Sequence, residues 1–194
     1  MERKPLIIGI VGSHCTGKTS LLPVLKEMLE SNGMKVAVLE EVVRRVEKDV
    51  LGTLEGQKQI FFELKKELER LSMGEHEVVI TDRSFLDVIV YTLYYASTRG
   101  WKEGECKDSV ELIKRCMEEQ ERFYDLLVYA NNIGKLPVVD DGFRLADEHS
   151  RMVVDTLFKS LLHLLKESRV IWWEIGREED VLRKILEFTG NPEV

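Results

Sequence analysis

The sequence predicts an α/β fold built on a five-stranded parallel sheet, and three observations predict it. Five short apolar runs recur along the 194 residues, at Leu6–Val11, Lys35–Leu39, Glu77–Thr81, Asp125–Tyr129 and Arg169–Ile175. Several are nearly continuous in apolar residues, as strands covered on both faces are. Stretches with apolar residues at helical spacing separate them, which is the alternation that builds a parallel sheet with helices on both sides. The first run ends in Gly12-Ser13-His14-Cys15-Thr16-Gly17-Lys18-Thr19, a GxxxxGK[ST] string that leads straight into the first helical stripe.

Each intervening helix has its own pattern. Leu21, Leu22, Leu25, Met28 and Leu29 form one stripe that stops at Gly33, a residue suited to a left-handed C-terminus. Pro23 lies inside it and should bend it, because proline removes a backbone donor. Ile60, Phe61, Leu64, Leu68 and Leu71 form a second stripe ending near Gly74. Phe85–Ser97 is so apolar and aromatic that it predicts a helix buried at the centre of the molecule. Val110, Ile113, Met117 and Gln120–Tyr124 predict a fourth helix. Met152, Val153, Leu157, Leu161, Leu162 and Leu165 predict a fifth over about 146–167, and Val181, Ile185 and Leu186 a sixth whose first turn holds Glu178, Glu179 and Asp180. No repeat or linker interrupts the pattern, so residues 1–194 are expected to form a single domain.

Composition narrows the function. Apolar residues make up 44% and charged residues 32%, which fits a soluble globular protein that can bury a core without disulfides. A net charge of −7, from 28 Lys and Arg against 35 Asp and Glu, argues against a nonspecific nucleic-acid binder. Cys15, Cys106 and Cys116 are odd in number and lack paired spacing, so the expectation is a reducing, cytoplasmic setting with neither a disulfide framework nor a zinc site. The apolar run after Met1–Pro5 is too short for a signal sequence and reads as a strand, and Phe85–Ala96 falls short of the roughly 20 residues that cross a bilayer. Three Gln and four Asn beside abundant Glu and Lys hint at a thermophilic source.

The strand–loop–helix context gives the Gly-rich string its chemistry. Consecutive backbone amides from Gly12 through Ser20 can converge on a β-phosphate at the positive end of the following helix. Lys18 supplies a point charge for the β- and γ-phosphates, and the Thr19 hydroxyl can ligate the Mg²⁺ that neutralises them. His14 and Cys15 are read as loop side chains, since a cradle of this kind works mainly through its backbone.

Ligands of open α/β sheets sit outside the carboxyl ends of the strands, so the other strand ends decide the reaction. The second strand runs into Glu40-Glu41-Val42-Val43-Arg44-Arg45, and the third ends in Thr81-Asp82-Arg83-Ser84. After the fourth come Asp140-Asp141-Gly142-Phe143-Arg144, then Asp147, Glu148 and Arg151, in a lid expected over about 131–151. Asp82 stands where a Mg²⁺ ligand, or a base for an acceptor hydroxyl, is expected.

With Asp87 and Tyr91 one and two turns further on, Glu41-x-x-Arg44, Asp82-Arg83-Ser84 and Asp141-Gly142-Phe143-Arg144 resemble the P-loop ATPase and kinase family. That family includes the nicotinamide riboside kinase domain of bacterial NAD-biosynthesis regulators. The triplet is also similar to the Asp-Arg of thymidylate kinases and the Glu-Arg-Ser of deoxynucleoside kinases. The resemblance implies a three-layer P-loop NTPase sandwich with kinase-like strand order and ATP or GTP as donor. Lys18 and Thr19 would hold the donor phosphates and Mg²⁺, and Asp82 and Arg83 would face the acceptor beside Arg44, Asp87 and Tyr91. Glu41 would be a base, Arg144 or Arg151 would close over the γ-phosphate, and Arg177, after the fifth strand, would border the donor base. The lid lacks the clustered arginines of many nucleotide kinases.

Two functions compete. One is transfer of a γ-phosphoryl group to a nucleoside, nucleotide or related small acceptor; the other is a nucleotide switch acting through a protein partner. A guanine-specific switch needs Asn-Lys-x-Asp and Asp-x-x-Gly at strand ends, whereas here Asn131-Asn132-Ile133-Gly134-Lys135 lacks the Asp. AAA+ machines carry a further helical domain, for which 194 residues leave little room. The transferase reading leads, with small-molecule partners and no membrane, and a homodimer is compatible with it.

Overall fold

The computed structural model describes residues 4–138 and 147–190. Asp140–Arg144, the centre of the expected lid, lie outside the described residues. The strands are β1 (Leu6–Val11), β2 (Val36–Leu39), β3 (Val78–Asp82), β4 (Leu126–Ala130) and β5 (Val170–Trp173). They form one parallel sheet in the order β2-β3-β1-β4-β5, the kinase-like order. The helices are α1 (Lys18–Ser31), α2 (Leu54–Ser72), α3 (Phe85–Thr98), α4 (Glu103–Phe123), α5 (Glu148–Leu162) and α6 (Glu178–Thr189).

Strand alternation splits the core into two layers. Ile8 and Ile10 of β1, Val78 and Ile80 of β3 and Val128 of β4 pack with Leu21, Leu25 and Leu29 of α1 and Ile185 of α6. Ile7, Val11, Val79, Leu127 and Tyr129 face the other way, onto α2, α3, α4 and α5. The result is the expected three-layer sandwich. The expected central helix is α3, which packs against α2, α4 and α5 and buries Phe85, Leu86, Val88, Ile89 and Val90.

Two helices turn a different stripe inward from the one their apolar residues suggest. In α4, Val110 and Met117 are exposed while Leu112, Cys116, Gln120 and Phe123 are buried. In α5, Met152 is exposed while Arg151, Val154, Asp155, Phe158 and Leu162 are buried, and the helix ends at Leu162 rather than near 167. Both stripes of each helix have helical spacing, and contact with α2 and α3 selects one of them in α4. Helix α1 runs on through Pro23 as a single helix. Among the described residues, no helix is long and apolar enough to cross a membrane.

Register positions the site. Ile10 pairs with Asp82, and the Arg83 amide donates to the Ile10 carbonyl at 3.0 Å, so the Asp82–Arg83 step lies beside the end of β1.

Candidate active site

The loop between β1 and α1 makes two left-handed turns at glycine, with φ of 138° at Gly12 and 87° at Gly17. At Gly17 a side chain would also meet Trp173 and Leu136 at 3.3 and 3.4 Å, so both conformation and space require glycine there. Thr16 Oγ1 donates to the Ser13 carbonyl at 2.8 Å, and Ser13 Oγ to the Arg151 carbonyl at 2.8 Å. Cys15, Thr16, Gly17, Lys18, Thr19 and Ser20, with Leu136 and Pro137, line an open groove of about 240 Å³ at the start of α1.

Lys18 is buried, and its ammonium donates to the carbonyls of Gly12 at 2.8 Å and Ser13 at 2.6 Å. Burial, and then the nearby Arg83 guanidinium, lower its pKa to about 8, against the pull of Asp82, Asp87 and Glu41. The ammonium thus bonds its own loop with weak acceptors that phosphate oxygens can replace. Thr19 Oγ1 donates to Asp82 Oδ2 at 2.8 Å. Two neighbouring ligands of an octahedral Mg²⁺ with bonds of 2.0–2.1 Å stand about 2.9 Å apart, so this hydroxyl and carboxylate fit two adjacent ligand positions. Among the described residues there is no cluster of three or more His, Cys, Asp or Glu that could hold a metal ion.

Arg83 turns the other way. Its Nε donates to Glu41 Oε1 at 2.6 Å, its Nη1 lies 3.7 Å from Asp87 Oδ1, and its guanidinium sits 5.2 Å from the centre of the Tyr91 ring. Burial works against its charge, but Glu41, Tyr91 and Asp87 outweigh burial and hold its pKa well above the ordinary value. The backbone of Arg83 is left-handed, with φ 87°, an unfavourable conformation for a residue with a side chain. Three hydrogen bonds pin it: its amide to Ile10, and its carbonyl to Thr81 Oγ1 at 2.6 Å and Tyr124 Oη at 3.2 Å.

Asp87 closes a capping box at the start of α3, where its Oδ2 accepts the Ser84 amide at 2.9 Å. Its buried Oδ1 accepts no hydrogen bond and faces Arg83. Burial, opposed by Arg83, raises its pKa to about 6. Arg83, Asp87, Tyr91 and Tyr95, with Gln57 of α2 and an apolar wall from Val42 to Gly52, line a second cavity of about 40 Å³.

The remaining expected residues fall as follows. Glu41 is buried behind Arg83, and Arg44, with a half-exposed side chain 3.4 Å from Glu41, is outside the cavity lining. Arg151 is buried, and its guanidinium donates to the Leu136 carbonyl at 2.7 Å and to Glu148 at 2.8 Å, so it fastens the segment after β4 to α5. Arg177, at the start of α6, is largely exposed and 3.9 Å from Asp180. Arg144 lies outside the described residues.

Two residues escaped the sequence reading. Gln57 occupies a buried position on the stripe of Ile60, Phe61 and Leu64, and an amide at such a position is the signal that could have marked it. Asn132 is fully buried; its amide donates to the Thr16 carbonyl at 3.1 Å and accepts the Ile175 amide at 3.0 Å, tying the phosphate loop to the segment after β5.

No curated protein matches the chain. A solved structure described as NadR protein in complex with NR is similar, with a TM-score of 0.70 at 17% identity. The match covers 97% of this chain and 53% of that one, so the chain spans about half its length, and at this identity the likeness is one of fold. A family model described as AAA domain matches residues 7–179, from β1 into the first turn of α6. With its phosphate loop and five parallel strands, the chain belongs to the AAA domain family, and it shares its fold with the NadR structure.

Proposed function

We propose that the protein is a Mg²⁺-dependent phosphotransferase that moves the γ-phosphoryl group of ATP or GTP to a small, hydroxyl-bearing, nucleoside-like acceptor in the cytoplasm. The observation that carries this reading is the division of labour between two consecutive residues. Asp82 joins Thr19 in the phosphate groove, while Arg83 lines a second, largely apolar cavity. The ammonium of Lys18 responds to Arg83 and Asp87 as well as to Asp82, so groove and cavity share one electrostatic neighbourhood.

In this mechanism the loop amides and Lys18 hold the β- and γ-phosphates. Thr19 and Asp82 would hold Mg²⁺, which when bound neutralises the oxygens of those phosphates. Asp87, which lines the cavity and whose Oδ1 beside Arg83 accepts no hydrogen bond, accepts the hydrogen bond and then the proton of the acceptor hydroxyl. Arg83 is already engaged by Glu41, which leaves Glu41 a positioning role and favours a neutral hydroxyl over a phosphate as the group received. Tyr91, Tyr95 and Gln57 offer an apolar face and one amide to the rest of the acceptor. A 40 Å³ cavity holds one or two waters, so an acceptor ring must push the Val42–Gly52 wall outward. The nicotinamide riboside kinase domain that the sequence resembles supports the same acceptor class.

The test is a screen of nucleosides and nucleoside monophosphates with ATP and with GTP, following nucleoside diphosphate release above the acceptor-free background. Stimulation by at least one nucleoside is the expected result. Stimulation by monophosphates alone would reassign Arg83 to phosphate binding, and stimulation by none would leave a nucleotide switch in place of the transferase.

A further inference from the structure

His14 stands in the phosphate loop next to Cys15, which lines the groove, and its ring meets Tyr91, which lines the acceptor cavity. It is 1% exposed, its Nδ1 lies 3.5 Å from the Tyr91 hydroxyl, and its buried Nε2 has no hydrogen-bond partner. A buried ring nitrogen without a partner is costly, and one inside a binding site is commonly satisfied by what the site binds. The tautomer follows from the neighbour: if Nδ1 accepts from Tyr91, the ring proton sits on Nε2, and the unsatisfied atom is a donor.

The surroundings identify the acceptor that this donor wants. Burial, then Lys18 and Arg83, push the His14 pKa down to about 4; a backbone hydrogen bond with Asp147 pulls the other way and outweighs the smaller push from Arg151. The imidazole is therefore neutral, set among three cations that disfavour its own charge and favour an anion beside it. An anion that enters a phosphate groove and stops next to Lys18 is a phosphate oxygen. The β-phosphate is met by loop amides, so the oxygens left for a side chain at the acceptor end of the loop are those of the terminal phosphoryl group.

We infer that His14 Nε2–H donates a hydrogen bond to an oxygen of the γ-phosphoryl group, so that the loop distinguishes a triphosphate from a diphosphate through this side chain. The inference rests on the nucleotide reading of the groove. Tyr91 holds the ring in register from the acceptor side, which places the donor between the two substrates.

The experiment measures, by calorimetry with Mg²⁺, the affinities of the non-hydrolysable β,γ-imido triphosphates of adenosine and guanosine and of the two diphosphates. The proteins are wild type, His14→Leu and His14→Gln, each checked by thermal melting. Gln can return an N–H near the position of Nε2, whereas Leu cannot. The expected result for His14→Leu is a loss of about tenfold or more in triphosphate affinity, the size of one hydrogen bond to a charged group, with diphosphate affinity held within about twofold. His14→Gln should recover most of that loss. Equal loss for both nucleotides in His14→Leu would show a merely structural ring, no loss would show an idle one, and a Gln variant as weak as Leu would remove the donor assignment. Failure of the wild-type protein to bind any of the nucleotides would instead overturn the groove reading itself, a result distinct from the other three.

Discussion

Arg83 and Glu41 form a buried pair in which Nε and Nη2 of the guanidinium both lie on Glu41 Oε1, at 2.6 and 2.5 Å, while the Arg83 backbone stays left-handed. Breaking a buried pair from one side leaves an uncompensated charge, at a cost of about 3–5 kcal/mol. Arg83→Ala should therefore lower stability by roughly that amount in urea unfolding, whereas Glu41→Gln, which keeps an acceptor for Nε, should cost clearly less. Equal midpoints for wild type and Arg83→Ala would show that the pair contributes nothing.

Lys18 sets a pH limit on nucleotide binding. Its pKa of about 8 is below that of an ordinary lysine, so above pH 8 the free protein has lost a proton that the phosphate-bound form regains. Binding should take up a proton in this range, and affinity should fall as pH rises through 8. Calorimetric enthalpies in buffers of different ionisation heat measure the uptake directly. Lys18→Ala should abolish both the uptake and productive binding while leaving a folded protein.

Asp82→Asn keeps the shape of the side chain but removes the charge beside Thr19. Nucleotide binding should persist while turnover falls by about a hundredfold or more, with a higher Mg²⁺ requirement. Turnover at the wild-type level would leave Asp82 as a strand-end charge with no role in transfer.

Asp87 titrates from the other side. Held at a pKa of about 6, its carboxylate is ionised above that pH and protonated below it, so kcat/KM for the acceptor should fall as pH drops through 6. Asp87→Asn, in which the side-chain carbonyl can still accept the Ser84 amide, should lower kcat/KM for the acceptor by about two decades and flatten that limb. A pH profile unchanged in the variant would return the proton-accepting role to Glu41.

Gly56 tests the cavity wall. A Cβ there would sit 2.2 Å from the Val50 carbonyl oxygen, a backbone atom that can move only with the Val42–Gly52 segment. Gly56→Ala should destabilise the protein by about 1–3 kcal/mol, read from its urea midpoint, and raise the acceptor KM with little change in nucleotide affinity.

Much of this was written in the chain itself. Short apolar runs bounded by turn residues read as strands covered on both faces, and residues 12–19 carried their loop conformation in two glycines. The pairing of Thr19 with Asp82 followed once the third strand was placed beside the first, because adjacent parallel strands end at the same edge of the sheet. These features were legible because they depend on local spacing and on rules of chain topology that hold whatever the packing.

Tertiary contact decided the rest. Val110 and Met117 of α4 are as apolar as Leu112 and Cys116, and only the position of the neighbouring helices selected which pair to bury. Arg151 carries a charge suited to a phosphate, yet the Leu136 carbonyl and Glu148 occupy its guanidinium. Asn132 and Gln57 entered the site through burial, which gives a polar side chain its role by leaving it few partners. A sequence specifies which groups are present and on which face of an element they repeat; which of them end within 3 Å of one another depends on the packing of elements distant in the chain, and the chemistry of a buried charge depends on that distance.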